Sequence, residues 1–167
     1  MNNCSKALLA SFFWLICAGA AALSSDRDQP INIEADWAEA DDIRRVTVYK
    51  GRVVVVQGSI RITGDVVTMY YDQKRELTKL VATGRPARFK QKADQGELQR
   101  ADAKRLEYLV GSDTMVLVGT ANLAQGKSKV SADRIMYDTQ NSQIKAESKK
   151  EERSRGRVRI VIDSNQQ

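Results

Sequence analysis

After Pro30 the chain alternates apolar and polar positions almost without a break. Ile31 and Ile33, Val46 and Val48, Ile60 and Ile62, Leu106 and Tyr108, Met115 and Leu117, Ile135 and Tyr137, and Val158 and Ile160 all keep a period of two. That period marks strands with one apolar face. The bulk comes from Val, Ile, Thr and Tyr, which suit a pleated, half-buried surface. Gly51, Gly58, Gly64, Gly84-Arg85-Pro86, Gly111, Gly119 and Gly126 punctuate the pattern and read as turns. Only Gln95–Tyr108 offers a helical stripe, through Leu98, Ala101 and Arg105, and the alternation that follows favours a strand there.

A repeat underlies the alternation. Gly51-Arg52-Val53-Val54-Val55-Val56-Gln57-Gly58 returns as Gly119-Thr120-Ala121-Asn122-Leu123-Ala124-Gln125-Gly126. A small residue followed by Asp recurs at Ala35-Asp36, Gly64-Asp65, Ala101-Asp102 and Ala132-Asp133. Units of about 30 residues hold two or three strands each, and such units need neighbours to bury their apolar faces. The expectation is an all-β, antiparallel two-sheet structure open at both ends. A membrane-spanning barrel fits poorly, because charged residues interrupt the outer parity and aromatic girdles are missing. The Asp of each small-Asp pair is expected to be a turn or bulge residue bonding local amides.

The first 22 residues differ in kind. Lys6 precedes an apolar run from Ala7 to Ala18, and Ala20-Ala21-Ala22 supplies small residues for cleavage. This order describes a secretory signal peptide cut after Ala22, with a cut after Ala20 close behind, leaving one domain over 23–167 with a short basic tail. A retained membrane anchor is the alternative, with Ala7 to Leu23 at the lower limit for a spanning helix.

Composition narrows the chemistry. The chain has no histidine, and its two cysteines, Cys4 and Cys17, lie within the signal. Histidine-based acid–base catalysis and Cys/His metal sites are thereby excluded from the exported domain. A carboxylate-only hydrolase survives as the enzyme alternative. The spacing of Asp26, Asp28, Glu34 and Asp36 does not make a cation loop. The net charge of +6 points, in an exported protein, to acidic lipids, glycolipid phosphates or acidic proteins rather than nucleic acid. The charge is also polarised. Asp26 to Asp42 is acidic and Lys145 to Arg159 is basic, which reads either as ordinary solvated termini or as a head-to-tail self-association through Asp28, Glu34 and Asp36 against Arg153, Arg155 and Arg157. Trp37 is expected at an edge or end interface.

Several segments carry a resemblance. These are Asp28-Gln29-Pro30-Ile31-Asn32-Ile33-Glu34-Ala35-Asp36, Tyr49 to Gly58, Gly84 to Gln91, Leu106-Glu107-Tyr108, Val116 to Gly126, and Ala132-Asp133-Arg134-Ile135-Met136-Tyr137-Asp138. In this order the set resembles the LptA, or OstA-like, family of periplasmic lipopolysaccharide transport proteins, over roughly Asp28 to Ile162. The segment Gln91–Gln99 matches poorly. The resemblance implies a twisted, V-sectioned β-jellyroll that needs no cofactor and catalyses nothing. It implies stacking end to end between the two membranes, with lipid A acyl chains of lipopolysaccharide in an apolar groove. It further implies docking to an LptC-like protein at the inner membrane and an LptD-like protein at the outer membrane. The other classes are an LptC-like anchored tether and a structural β-module without cargo.

Candidate lipid-binding residues follow from inward parity. They are Ile31, Ile33, Val53, Val55, Ile62, Met69, Phe89, Leu106, Tyr108, Val110, Leu117, Leu123 and Tyr137. Parity alone makes most of these ordinary core. The resemblance singles out Ile31, Ile33, Phe89, Tyr108 and Val110 as groove-lining.

Overall fold

A computed structural model describes residues 26, 28–92, 97–139, 143–148, 150–151, 154–155 and 157–162. The proposed signal peptide lies outside the described residues. The strands are β1 (Asn32–Glu34), β2 (Trp37–Asp41), β3 (Val46–Gln57), β4 (Ile60–Tyr71), β5 (Leu77–Lys92) and β6 (Leu98–Leu109). They continue as β7 (Thr114–Gln125), β8 (Ser128–Asp138), β9 (Gln143–Glu147), β10 (Lys150–Glu151), β11 (Ser154–Arg155) and β12 (Arg159–Val161). The strand reading of Gln95–Tyr108 is thus correct over β6.

Hydrogen bonds run in the order β1-β3-β4-β5-β6-β7-β8-β12, with β2 also on β3 and β9 also on β8. Every pairing is antiparallel. The register slips in the middle of each pair of long strands, between Lys50 and Val53, Thr63 and Val66, Thr83 and Ala87, Asp102 and Arg105, and Val118 and Ala121, and β4–β5 slips again at Tyr70–Tyr71. The mid-strand slips line up into a crease that divides the sheet into two half-sheets. At one edge β1 pairs with Val54–Val56 and β2 with Val46–Lys50. At the other, β12 pairs with Lys129–Ser131 and β9 with Arg134–Asp138. Half-sheet I therefore runs from β1 to β12, and half-sheet II from β2 to β9. Together they realise the expected two-sheet jellyroll.

The repeat marks the crease. Ala35-Asp36, Gly64-Asp65, Ala101-Asp102 and Ala132-Asp133 sit where the chain passes from half-sheet I to II. Gly51-Arg52, Gly84-Arg85-Pro86 and Gly119-Thr120 sit where it returns. Reading Gly51, Gly64, Gly84-Arg85-Pro86 and Gly119 as turns between strands is therefore corrected: all lie inside strands. Gly51 has φ +79° and Gly119 has φ +82°, and the residues after them, Arg52 and Thr120, are also left-handed. Two consecutive left-handed residues bulge the strand and bend it, a conformation that favours Gly at the first position. Gly58 and Gly126 do occupy hairpin turns.

The Asp side chains differ from expectation in their partners. Asp36 accepts hydrogen bonds from Arg52 at 2.6 and 3.2 Å. Asp65 lies 3.7 Å from Arg85, and Asp102 accepts from Asn122 at 2.9 Å. The partners come from the next strand, not from local amides, because the slipped register brings neighbouring crease residues together.

Candidate functional site

Alternation within each half-sheet converts into rows across it. In half-sheet I, Ile33, Val55, Ile62, Phe89, Ala101, Leu123, Val130 and Ile160 stand opposite one another on eight successive strands. In half-sheet II the matching row is Ala38, Tyr49, Val67, Ala82, Leu106, Leu117, Ile135 and Ala146. A second row there holds Ala40, Thr47, Met69, Leu80, Tyr108, Met115, Tyr137 and Ile144. The buried members of the three rows pack together into one apolar cluster.

That interior is sealed along its middle. Val53, Val55, Ile62, Met69, Phe89, Leu106, Leu117, Leu123 and Tyr137 are all buried. Each buried Val, Leu, Ile or Phe of this kind contributes about 1.5–3 kcal/mol of transfer free energy. The rows open at their ends. Ile33 is half-buried, Ile31 is exposed, and at the far edge Ile144 and Ile160 are exposed. Tyr108 is half-buried, and its hydroxyl donates to Asp113 at 2.7 Å. Val110 leaves the inward parity. It opens a 3-10 turn, Val110–Ser112, that ends on a left-handed Asp113, so the strand rule stops at Leu109.

The charged candidates divide between the two edges. Asp28, Glu34 and Asp36 are exposed beside β1. Arg157 is exposed before β12, whereas Arg153 and the side chain of Arg155 lie outside the described residues. The basic tail thus returns to the sheet as the edge strand β12. The Arg52 guanidinium, first by its hydrogen bond, holds the Asp36 carboxyl below its ordinary range, and Asp36 in turn raises Arg52. Burial, helped by Tyr71, pushes the Tyr49 phenol up. Asp26 is buried on the β3–β4 turn, where it accepts from the Ser59 amide and hydroxyl and from Gln91. Trp37 is exposed on the edge strand β2, with the Lys50 ammonium 4.4 Å from its ring centre.

Sequence reasoning missed a polar inward row. Gln57 pairs with Ile60, and Gln91, Gln99, Gln125 and Ser128 stand opposite one another at the rim of half-sheet I. Gln99 is buried and donates to the Tyr137 hydroxyl at 2.8 Å, joining the two half-sheets. The available signal was the same parity that picked out the apolar residues, since all these positions continue it.

Comparison with known proteins gives consistent matches. Residues 32–143 match the family described as LptA/(LptD N-terminal domain) LPS transport protein. The chain is 38% identical over 128 residues to the lipopolysaccharide export system protein LptH of Pseudomonas aeruginosa, covering 76% of this chain and 73% of that one. It is 33% identical over 147 residues to the lipopolysaccharide export system protein LptA of Escherichia coli K12, covering 87% and 80%. An LPS-assembly protein LptD of Vibrio cholerae is 38% identical over 92 residues, only 10% of its length. The crystal structure of Pseudomonas aeruginosa LptH superposes with a TM-score of 0.75 at 34% identity, covering 83% of this chain and 99% of that chain. It is described as the LptA-homologous periplasmic component of the lipopolysaccharide transport device.

Proposed function

This chain belongs to the LptA/LptD N-terminal family of lipopolysaccharide transport proteins, and on that premise we propose that it carries lipopolysaccharide across the periplasm from the inner to the outer membrane. The acyl chains travel between the half-sheets, and the saccharide stays outside. The protein makes and breaks no covalent bond in this role. Copies stack head to tail, with an LptC-like domain at one end of the stack and an LptD-like domain at the other. The signal peptide over residues 1–22 delivers the domain to the periplasm.

One observation carries the reading. The rows run from edge strand to edge strand, apolar except at Thr47, and are less covered at their ends: Ile33 is half-buried with the exposed Ile31 two residues before it, and Ile144 and Ile160 are exposed at the other edge. A self-contained sandwich gains nothing from leaving such row ends uncovered, whereas a conduit needs continuity at the joint. Each buried methylene contributes about 0.8 kcal/mol, so a few carbons of one chain already give several kcal/mol. Entry requires the sealed middle to part, which keeps binding reversible.

The test is direct. The exported protein is purified and titrated with lipopolysaccharide, and Ile33→Asp, at the half-buried row end, serves as the variant. Saturable binding that weakens in a folded Ile33→Asp supports the conduit. A well-folded wild type that binds no lipopolysaccharide overturns it, and a structural module that joins at its edges then becomes the better account.

A further inference from the structure

On the outer face of half-sheet I, one row in from the glutamine rim, Arg61 stands opposite Lys90 and Lys90 stands opposite Arg100. The row continues through Ala124 to Lys129. All four cations are exposed. At about 4.8 Å between strands, they extend over roughly 19 Å. Among the described residues, none of the four forms an ion pair with an acid.

This register is unfavourable by itself. Like charges directly opposite across strands repel and lower stability. Elsewhere the sheet avoids the situation. One row nearer the crease Arg88 stands opposite Asp102. On half-sheet II, Arg105 pairs with Glu107 at 2.6 Å, Lys145 with Glu147 at 3.4 Å, and Lys79 lies over the Tyr70 ring. Among the described residues, the cations of the rim row stand together with no acid opposite them, next to the line where the two half-sheets would part.

We propose that Arg61, Lys90, Arg100 and Lys129 form a site for the phosphate groups of an acylated, phosphorylated lipid whose chains lie between the half-sheets. The assignment rests on the transport reading above. The row supplies what the neutral rim lacks. The glutamines can accept passage of a lipid without fixing its charge, and the long Arg and Lys side chains reach outward toward the part that stays in water. Several cations in line also favour a ligand with more than one phosphate over a single free ion.

The test compares the wild type with the triple variant Arg61→Gln, Lys90→Gln, Arg100→Gln. Each is titrated with lipopolysaccharide, with the same lipid after enzymatic dephosphorylation, and with inorganic phosphate. The triple variant is expected to bind the phosphorylated lipid about a hundredfold more weakly at low salt, at about fivefold per cation. Its affinity for the dephosphorylated lipid should stay within about twofold, and its thermal midpoint should rise by about 2 °C or more as repulsion is relieved. The opposite signs on binding and stability separate a ligand site from a structural one. Equal affinity of variant and wild type for the phosphorylated lipid overturns the site, as does equal loss for both lipids. Inorganic phosphate binding as tightly as the lipid overturns the lipid as its ligand. A wild type that binds neither lipid overturns the transport reading beneath it.

Discussion

The side-chain amide of Gln99 on β6 donates a 2.8 Å hydrogen bond to the Tyr137 hydroxyl on β8, and the two residues are 7% and 1% exposed. Gln99 belongs to half-sheet I and Tyr137 to half-sheet II, so this bond ties the two halves together near the rim. Both groups are out of water, and among the described residues each is the other's side-chain partner.

Removing one partner strands the other. Tyr137→Phe should cost about 1–3 kcal/mol, the penalty of a buried amide left unsatisfied. Gln99→Met should cost a similar amount. Because replacing both ends by apolar groups removes the stranded polar atom, the double variant should be no less stable than either single one. Urea denaturation of the three variants reads this out, and strictly additive losses would count against the bond as described.

The crease glycines should respond unequally to Ala. At Gly51 a methyl group would run into the Asp36 carboxylate, which Arg52 holds in place. At Gly119 it would meet Cβ and Cδ of Lys104 at 3.1 Å, a looser contact that a shift of a few tenths of an ångström relieves. Both substitutions carry about 1–2 kcal/mol for a left-handed backbone. Gly51→Ala should therefore lower the thermal midpoint more than Gly119→Ala does.

Asp36 gives a pH dependence with a definite sign. Its carboxyl titrates below 3.8 in the folded protein because Arg52 donates to the ionised form. The unfolded chain then binds a proton first as pH falls. The stabilisation from this pair is present above about pH 4 and is lost as pH drops through the folded value. Arg52→Gln should move the Asp36 titration, followed by carboxyl NMR shifts, up toward 3.8. An unmoved titration would mean that the ion pair does not persist in solution.

The ends of the stack make a separate prediction. Ile160, 59% exposed at the close of its row, should lie in a joint between copies. Ile160→Asp should weaken self-association, seen by sedimentation at low salt, while leaving the monomer's thermal midpoint nearly unchanged. Charge reversal at Arg153, Arg155 and Arg157 should weaken it further in a salt-dependent way. Unchanged oligomer size in both variants would remove the head-to-tail arrangement from the account.

Truncation in the sealed middle should behave differently from truncation at the ends. Leu106 is fully buried between the half-sheets. Leu106→Ala should cost about 2–5 kcal/mol of folding stability, with a cavity left behind. Thermal denaturation of Leu106→Ala beside Ile160→Asp would show the contrast, and equal destabilisation would contradict the distinction between core and joint.

Much of the architecture was legible in the residues. Period-two alternation after Pro30 identified the strands and the inward set, because which face a side chain takes is decided by its neighbours two residues away. The small-Asp and Gly repeat was visible too, and its order already held the rhythm of the fold. Its meaning was not. Gly51 and Gly119 look like turn residues in the sequence, because a left-handed glycine is equally suited to a hairpin and to a bulge. Val110 kept the right parity and still left the sheet, because a 3-10 turn interrupts the strand at a point that no periodicity announces.

Register belongs to the tertiary structure. The alternation puts Arg61, Lys90 and Arg100 outside and Gln91 and Gln99 inside. Only the pairing of β4, β5 and β6 sets the cations in one row and the amides in another. Likewise the sequence supplies Gln99 and Tyr137 as two inward residues, and only the bend at the crease brings them within 2.8 Å. The residues by themselves determine strand, face and charge, which are local properties. Which residues meet depends on hairpin lengths and on the aligned bulges, summed over the whole sheet.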